Sequence, residues 1–219
     1  MSRPHRRGLI GAAVAIGLLS ALPAHAAAPA SDDMSMGSPN APVTVIEYGS
    51  ASCTHCAHFN NDIFPAFKAK YVDTGRVRYV FREFLTEPVN LAAASFIIAR
   101  CAGRDKYFSV LDAVFHAQAD IYKTGDATPI MHKIAADAGL SEAKASACLA
   151  DKAALDALNA RVQGYVDNDK ITGTPTFFVD GQRLEGVQTL PQLDAAIARA
   201  EAKAGPPARR SRGHPSTAH

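Results

Sequence analysis

Net charge is nearly absent from this chain: 23 Lys and Arg against 21 Asp and Glu leave +2 at neutral pH. The basic residues cluster only toward the ends, at Arg3, Arg6 and Arg7 and again at Arg209, Arg210 and Arg212. The interior has no basic stripe interleaved with aromatics, so nucleic acid is excluded as a partner. A membrane span is also missing. The N-terminal apolar run Leu9–Leu22 is 14 residues long, where about 20 are needed to cross a bilayer. Zinc-site spacing is lacking too. A single Cys-x-x-Cys occurs, at Cys53 and Cys56, and Cys101 and Cys148 form no second pair. Structural zinc needs four ligands, usually from two such pairs or from a closely spaced histidine pair. No internal repeat is found.

What is present reads as globular. Hydrophobic residues make up 47% and charged residues 20% of 219 positions, enough for one domain carrying a sizeable insertion. Residues 1–26 read as an export signal: a basic start, the short apolar run, then Ala24-His25-Ala26 as a small-x-small cleavage site. The residues after Arg6-Arg7 fit a twin-arginine signal poorly, so the general secretory route is expected. Export to an oxidising compartment, the periplasm, makes disulfides the natural reading of an even cysteine count.

Residues 27–42 are small and polar and read as a linker. Val43–Tyr48 is apolar and β-branched, a buried strand. Gly49-Ser50-Ala51-Ser52 breaks it, and a helix is expected over 53–72, with Phe59, Ile63, Phe64, Phe67 and Tyr71 at helical spacing. Pro65 falls inside that pattern and predicts a kink. Arg76–Phe84 alternates as a second strand. Helices are expected near 89–103, 105–120, 128–138, 141–149 and 152–168. Thr176–Val179 is a strand, Asp180-Gly181 a hairpin turn, Gln182–Glu185 its return, and Leu190–Ala202 a last helix. The tail over 204–219 reads as disordered. The first two strands and their crossover helix predict a mixed sheet, with 43–88 and 170–203 forming the core and 89–169 an inserted helical domain.

The chemistry concentrates at Cys53-Thr54-His55-Cys56. A cysteine at a helix start meets unpaired backbone N–H groups and about half a positive charge, both of which favour thiolate. The second cysteine, a turn further in, is expected to be more buried. Cys53 is therefore the candidate nucleophile and Cys56 the resolving thiol, with the His55 imidazole adding to thiolate stability. A purely structural disulfide and half a zinc site are the alternative readings of this motif. Glu47 sits in a strand otherwise apolar, where an acid is costly unless it has a task. Six residues before Cys53, it can accept the Cys56 proton; the plainer reading is an acid facing solvent. Pro175, within Gly173-Thr174-Pro175-Thr176, is a candidate cis-proline that would set the Thr174 backbone beside the cysteines, or else an ordinary proline at the start of a strand. Met34 and Met36 read as incidental rather than as copper ligands, and His116 and His132 as ordinary helix residues.

Taken together, GSPNAPVTVIEYGSASCTHCAHF, YVFREF, the helical stretch and GTPTFFVDG resemble the DsbA-like branch of the thioredoxin superfamily, over about residues 36–202. The resemblance implies an α/β thioredoxin fold with an inserted helical domain. It implies Cys53 and Cys56 as the redox pair, Pro175 as the cis-proline, Thr174 as the residue meeting substrate backbone, and Glu47 as the buried acid. It implies dithiol oxidation in reduced exported proteins without cofactor or metal, and recycling by a membrane quinone oxidoreductase resembling DsbB. Two departures stand out: Thr-His between the cysteines rather than Pro-His, and Asn60 where some members carry an acid. Cys101 and Cys148, both in the helical stretch, are expected to form a second disulfide, as in some DsbA-like proteins; two buried thiols are the alternative. Only 16 residues separate Ala27 from Val43, too few for the dimerisation domain of DsbC-like isomerases, so a monomer is expected. A disulfide isomerase or reductase and a non-redox peptide-binding chaperone remain the competing functions.

Overall fold

The computed structural model of the protein describes residues 28–204. The expected export signal and the tail after Ala204 lie outside the described residues. Five strands, β1 (Met34–Met36), β2 (Val43–Gly49), β3 (Val77–Glu83), β4 (Thr176–Val179) and β5 (Gln182–Glu185), form one mixed sheet. Its order is β1-β3-β2-β4-β5. β2 and β3 run parallel, with Glu47 opposite Phe81. β4 pairs antiparallel with β2, setting Glu47 opposite Phe177, and the β4–β5 hairpin closes that edge.

Two expectations are corrected here. The stretch 27–42 is not simply a linker. Met34–Met36 pairs antiparallel with β3 as an edge strand, and Met34 is buried. Three residues carry too little pattern to announce a strand; the exposed edge of β3 supplies the hydrogen bonds that make one. Nor does β3 alternate in burial. Only Arg78 is partly exposed, because a strand inside a sheet covered on both faces is buried throughout. Arg82 and Glu83 are therefore both buried, and each is paired. Arg82 donates to Asp33 at 3.0 Å and to the Tyr48 hydroxyl at 2.6 Å. Glu83 accepts from Arg100 at 2.6 Å, Arg161 at 2.7 Å and the Tyr107 hydroxyl at 3.0 Å.

The crossover from β2 to β3 is helical over 54–72 but not uniform. α1 (Thr54–His58) passes through a π turn (Phe59–Ile63) into α2 (Phe64–Phe67), and a second π turn (Lys68–Val72) follows. Pro65 stands in the first turn of α2. The missing donor is thus absorbed by a wider turn just before it, rather than within a regular α-helix. Phe59 and Phe67 are fully buried beneath this segment, and the Phe59 ring meets Phe177 of β4 edge-on at 4.7 Å. Burying each such ring stabilises the fold by about 2–3 kcal/mol.

Between β3 and β4 lie α3 (Val89–Cys101), α4 (Arg104–Thr124), α5 (Thr128–Asp137), α6 (Glu142–Leu149) and α7 (Lys152–Asp169), and α8 (Leu190–Ala204) ends the described chain. Gly125, at φ 72°, stops α4 in the left-handed region that glycine adopts without cost. Ser141 caps α6 by accepting the Lys144 N–H at 3.2 Å, and Asp151 caps α7 by accepting from Ala153 at 2.9 Å. The Cys101 and Cys148 sulfurs, 1.94 Å apart, join the end of α3 to α6. The Glu83 and Arg82 clusters fasten α3, α4 and α7 to the sheet.

Candidate active site

Cys53 is the residue before α1, in extended conformation (φ −84°, ψ 120°), so its side chain stands at the first turn. Cys56 is fully buried one turn on, and the Ser50 N–H donates to its sulfur at 3.4 Å. The two thiols are free and their acidities are pulled apart. Cys53 is drawn down to about 5, first by a hydrogen bond from Cys56, then by Thr174 and the backbone N–H groups of Cys56 and His55, against the opposing effect of burial. Cys56 is pushed well above the ordinary thiol range, first by burial, then by the bond to Cys53 and the charge of Glu47. One proton is therefore held on Cys56 while Cys53 is ionised. His55 acts on Cys53 through its backbone N–H; its side chain is exposed.

Glu47 does not face solvent. It is 2% exposed, and the Tyr79 hydroxyl donates to its Oε2 at 2.5 Å. Burial, opposed by that hydrogen bond and reinforced by the charge on Cys53, raises its carboxyl to about 8. Gly49 lets this corner close: a Cβ there would stand 2.6 Å from the Phe81 ring and 3.0 Å from Glu47 Oε1. Glu47 and Tyr79 line a cavity of about 300 Å³ whose walls include Phe64, Phe108 and Asp112. Asn60 also lines it and donates to Asp112 Oδ1 at 3.0 Å, so α4 supplies an acid beside this asparagine.

The Thr174–Pro175 peptide is cis, and the Cys53 sulfur lies 3.5 Å from the Thr174 carbonyl oxygen, to which it donates only in its protonated form. Thr174 Oγ1 is buried without a hydrogen-bond partner, a donor available to the thiolate. An open cleft of about 420 Å³ runs from Cys53 past Thr174, Thr86 and Tyr122. The structure thus gathers Cys53, Cys56, Glu47, Thr174 and Pro175 at one place. Cys101 and Cys148 lie apart and line a different cavity, between α3 and α7.

Sequence reasoning missed the residues that hold the loop before Cys53. Ser50, Ser52 and Thr86 share a hydroxyl network: Thr86 Oγ1 donates to Ser50 Oγ at 2.9 Å, and Ser52 Oγ donates to the Thr86 carbonyl at 2.8 Å. From α4, Gln118 donates to the carbonyls of Ala51 at 3.0 Å and Cys53 at 3.3 Å, and the Tyr122 hydroxyl donates to the Ser52 carbonyl. The i, i+4 spacing of Gln118 and Tyr122 puts both on one helix face. That spacing was the available signal, but it names no target.

A mixed sheet whose first helix begins at a cysteine pair, with a cis-proline loop across from it, defines a thioredoxin-type redox protein. A family model described as Thioredoxin matches residues 30–199. The chain belongs to the thioredoxin family, in its DsbA-like branch. α-DsbA1 of Wolbachia pipientis superposes with a TM-score of 0.73 at 29% identity, covering 80% of this chain and 94% of that one. BdbD of Bacillus subtilis, at 20% identity and a TM-score of 0.63 over 77% of this chain and 92% of its own, shares the fold. A relative from Rickettsia bellii, provisionally named a protein-disulfide oxidoreductase, is 32% identical over 77% of this chain and 64% of its own length. One from Rickettsia typhi with the same provisional name is 33% identical over 77% and 62%. The chain therefore spans less than two thirds of these relatives.

Proposed function

We propose that this protein is a thiol–disulfide oxidoreductase that donates the Cys53–Cys56 disulfide to reduced exported proteins. The observation that supports this most is the opposite displacement of the two thiols, Cys53 to about 5 and Cys56 far upward. In the oxidised protein, a substrate thiolate attacks the partly exposed Cys53 sulfur, and the Cys53–Cys56 bond breaks. Cys56 leaves as a thiolate and takes up a proton, with the buried Glu47 carboxyl, whose charge acts on Cys56, as its donor. A second substrate thiolate then attacks the substrate sulfur of the mixed disulfide and expels Cys53 as a stable thiolate. Two electrons pass from the substrate dithiol to the enzyme.

The direction of transfer follows from the acidity of Cys53. A leaving thiol two pH units below neutrality stabilises the reduced enzyme. Allowing for screening at a partly exposed sulfur, this amounts to about 1–3 kcal/mol, or roughly 30–60 mV toward oxidising power. The basic, apolar and small-x-small sequence of residues 1–26 supports export to the periplasm, where a membrane quinone oxidoreductase resembling DsbB would reoxidise the pair. The equilibrium potential of Cys53–Cys56 against glutathione tests the reading. A value near −120 mV supports a donor, and one near about −270 mV makes the protein a reductase. Replacement of Cys53 should abolish oxidase activity; a chaperone would keep its activity in that variant.

A further inference from the structure

We propose that the cleft beside Cys53 selects substrate cysteines flanked by lysine or arginine, recognised by Glu87 and Tyr122. The proposal rests on the disulfide-donor reading and adds the chemistry of the preferred substrate.

Both residues line the cleft that contains Cys53 and Thr174. Among the described residues, Glu87 is its one carboxylate and no lysine, arginine or histidine lines it; the rest of the wall is Cys53, hydroxyl side chains, Pro88 and the Tyr122 ring. Glu87 is exposed, and its Oε2 accepts the Val89 N–H at 3.2 Å, which holds the side chain at the start of α3. The carboxylate keeps acceptor capacity toward solvent. Tyr122 leaves 39% of its surface exposed while its hydroxyl is tied to the Ser52 carbonyl. The ring is thus fixed in place with an open surface. An aromatic ring attracts a cation, and the methylene stem of lysine or arginine packs along it. A carboxylate and an open ring in one cleft are the two parts of a cation site.

The reaction gives such a site a purpose. The attacking species is the substrate thiolate, and a neighbouring cation raises the thiolate fraction of that cysteine. The same cation, held between Glu87 and Tyr122, brings the thiolate to Cys53. A substrate with an acid at that place meets Glu87 as a like charge. It meets it again as the Cys53 thiolate forms.

The test uses the oxidised full chain and fluorescent two-cysteine peptides that differ only in carrying Lys or Asp beside the attacking cysteine. The readout is the ratio of kcat/KM for the Lys peptide over the Asp peptide. Because intrinsic thiol acidity differs between peptides, the wild-type ratio is compared with that of Glu87→Gln, which keeps an acceptor for the Val89 N–H. The ratio should fall 2- to 5-fold in the variant, the size of an exposed ion pair. It should contract in wild type at high salt, and it should fall further in Glu87→Lys. An equal ratio in wild type and both variants overturns the proposal while leaving the donor reading intact. Failure of the oxidised wild type to oxidise any peptide overturns both.

Discussion

Glu47→Gln should make the protein more stable above neutral pH and no more stable in acid. In the folded chain this carboxyl titrates at about 8 instead of its ordinary 4.5, chiefly because it is buried. The unfolded chain releases its proton near the ordinary value. Between those two points the folded state binds a proton that the unfolded state has given up, so stability falls as pH rises from about 4.5 to about 8 and then levels off. About 3.5 pH units at about 1.4 kcal/mol each set a ceiling near 5 kcal/mol. Glutamine is neutral, nearly isosteric, and still accepts from the Tyr79 hydroxyl. The variant should match wild type at pH 4 and exceed it by a few kcal/mol at pH 9, which for a chain of this size raises Tm by roughly 10 °C. The comparison belongs on the oxidised protein, where neither Cys53 nor Cys56 titrates. There the Cys53 charge no longer contributes, so the gain falls below the ceiling. Urea or thermal melts at intervals from pH 4 to 9 read it directly. Parallel stability curves for wild type and variant would refute the argument that Glu47 is held in a medium hostile to its charge.

Other outcomes follow from the same geometry. Alkylation of the reduced protein should modify Cys53 with a midpoint near pH 5 and leave Cys56 unmodified; a midpoint near the ordinary 9.0 would remove the basis for donor chemistry. Replacing Cys101 and Cys148 together by serine opens a loop with a sequence separation of 47. Unfolding in urea should then show a loss of about 4 kcal/mol on the chain-entropy account, and a loss below about 1 kcal/mol would contradict it. Arg82→Leu takes the guanidinium from two carboxylates, Asp33 at 3.0 Å and Asp169 at 3.4 Å, both nearly inaccessible. A loss of about 3–5 kcal/mol at neutral pH is expected. A variant as stable as wild type at pH 7 would show that this buried cluster contributes nothing net.

The parts of the fold that follow from local pattern were legible. Val43–Tyr48, the Asp180-Gly181 hairpin and the five helices between β3 and β4 all announce themselves by run length, turn chemistry or spacing. So did the cysteine pair and the oddity of an acid at Glu47. What stayed hidden depends on partners distant in sequence. Met34–Met36 is a strand only because β3 offers an edge. Tyr79 reads as one more apolar-face residue until β2 and β3 come into register and its hydroxyl finds Glu47. Ser50 and Ser52 read as a break after a strand, and nothing local says that Thr86 will complete their network. Arg82 and Glu83 belong on a surface by composition; their burial is visible only once Asp33, Arg100, Arg161 and Asp169 arrive from three other segments, the last two both from α7. The π turns around Pro65 show the same limit, since the sequence marks the lost donor but not how the backbone adjusts.

Gln118 and Tyr122, both on α4 of the inserted helices, hold three consecutive residues of the loop before α1, at the carbonyls of Ala51, Ser52 and Cys53. This limits modularity. A minimal protein made by excising the helical block would keep the sheet, both cysteines and the proline loop, yet would strip those carbonyls of their donors at the very turn that aims Cys53. The helices are thus a brace for the nucleophile as well as a cover for the sheet. Transplanting the four-residue motif into a bare thioredoxin core would carry over its letters without the support that orients them.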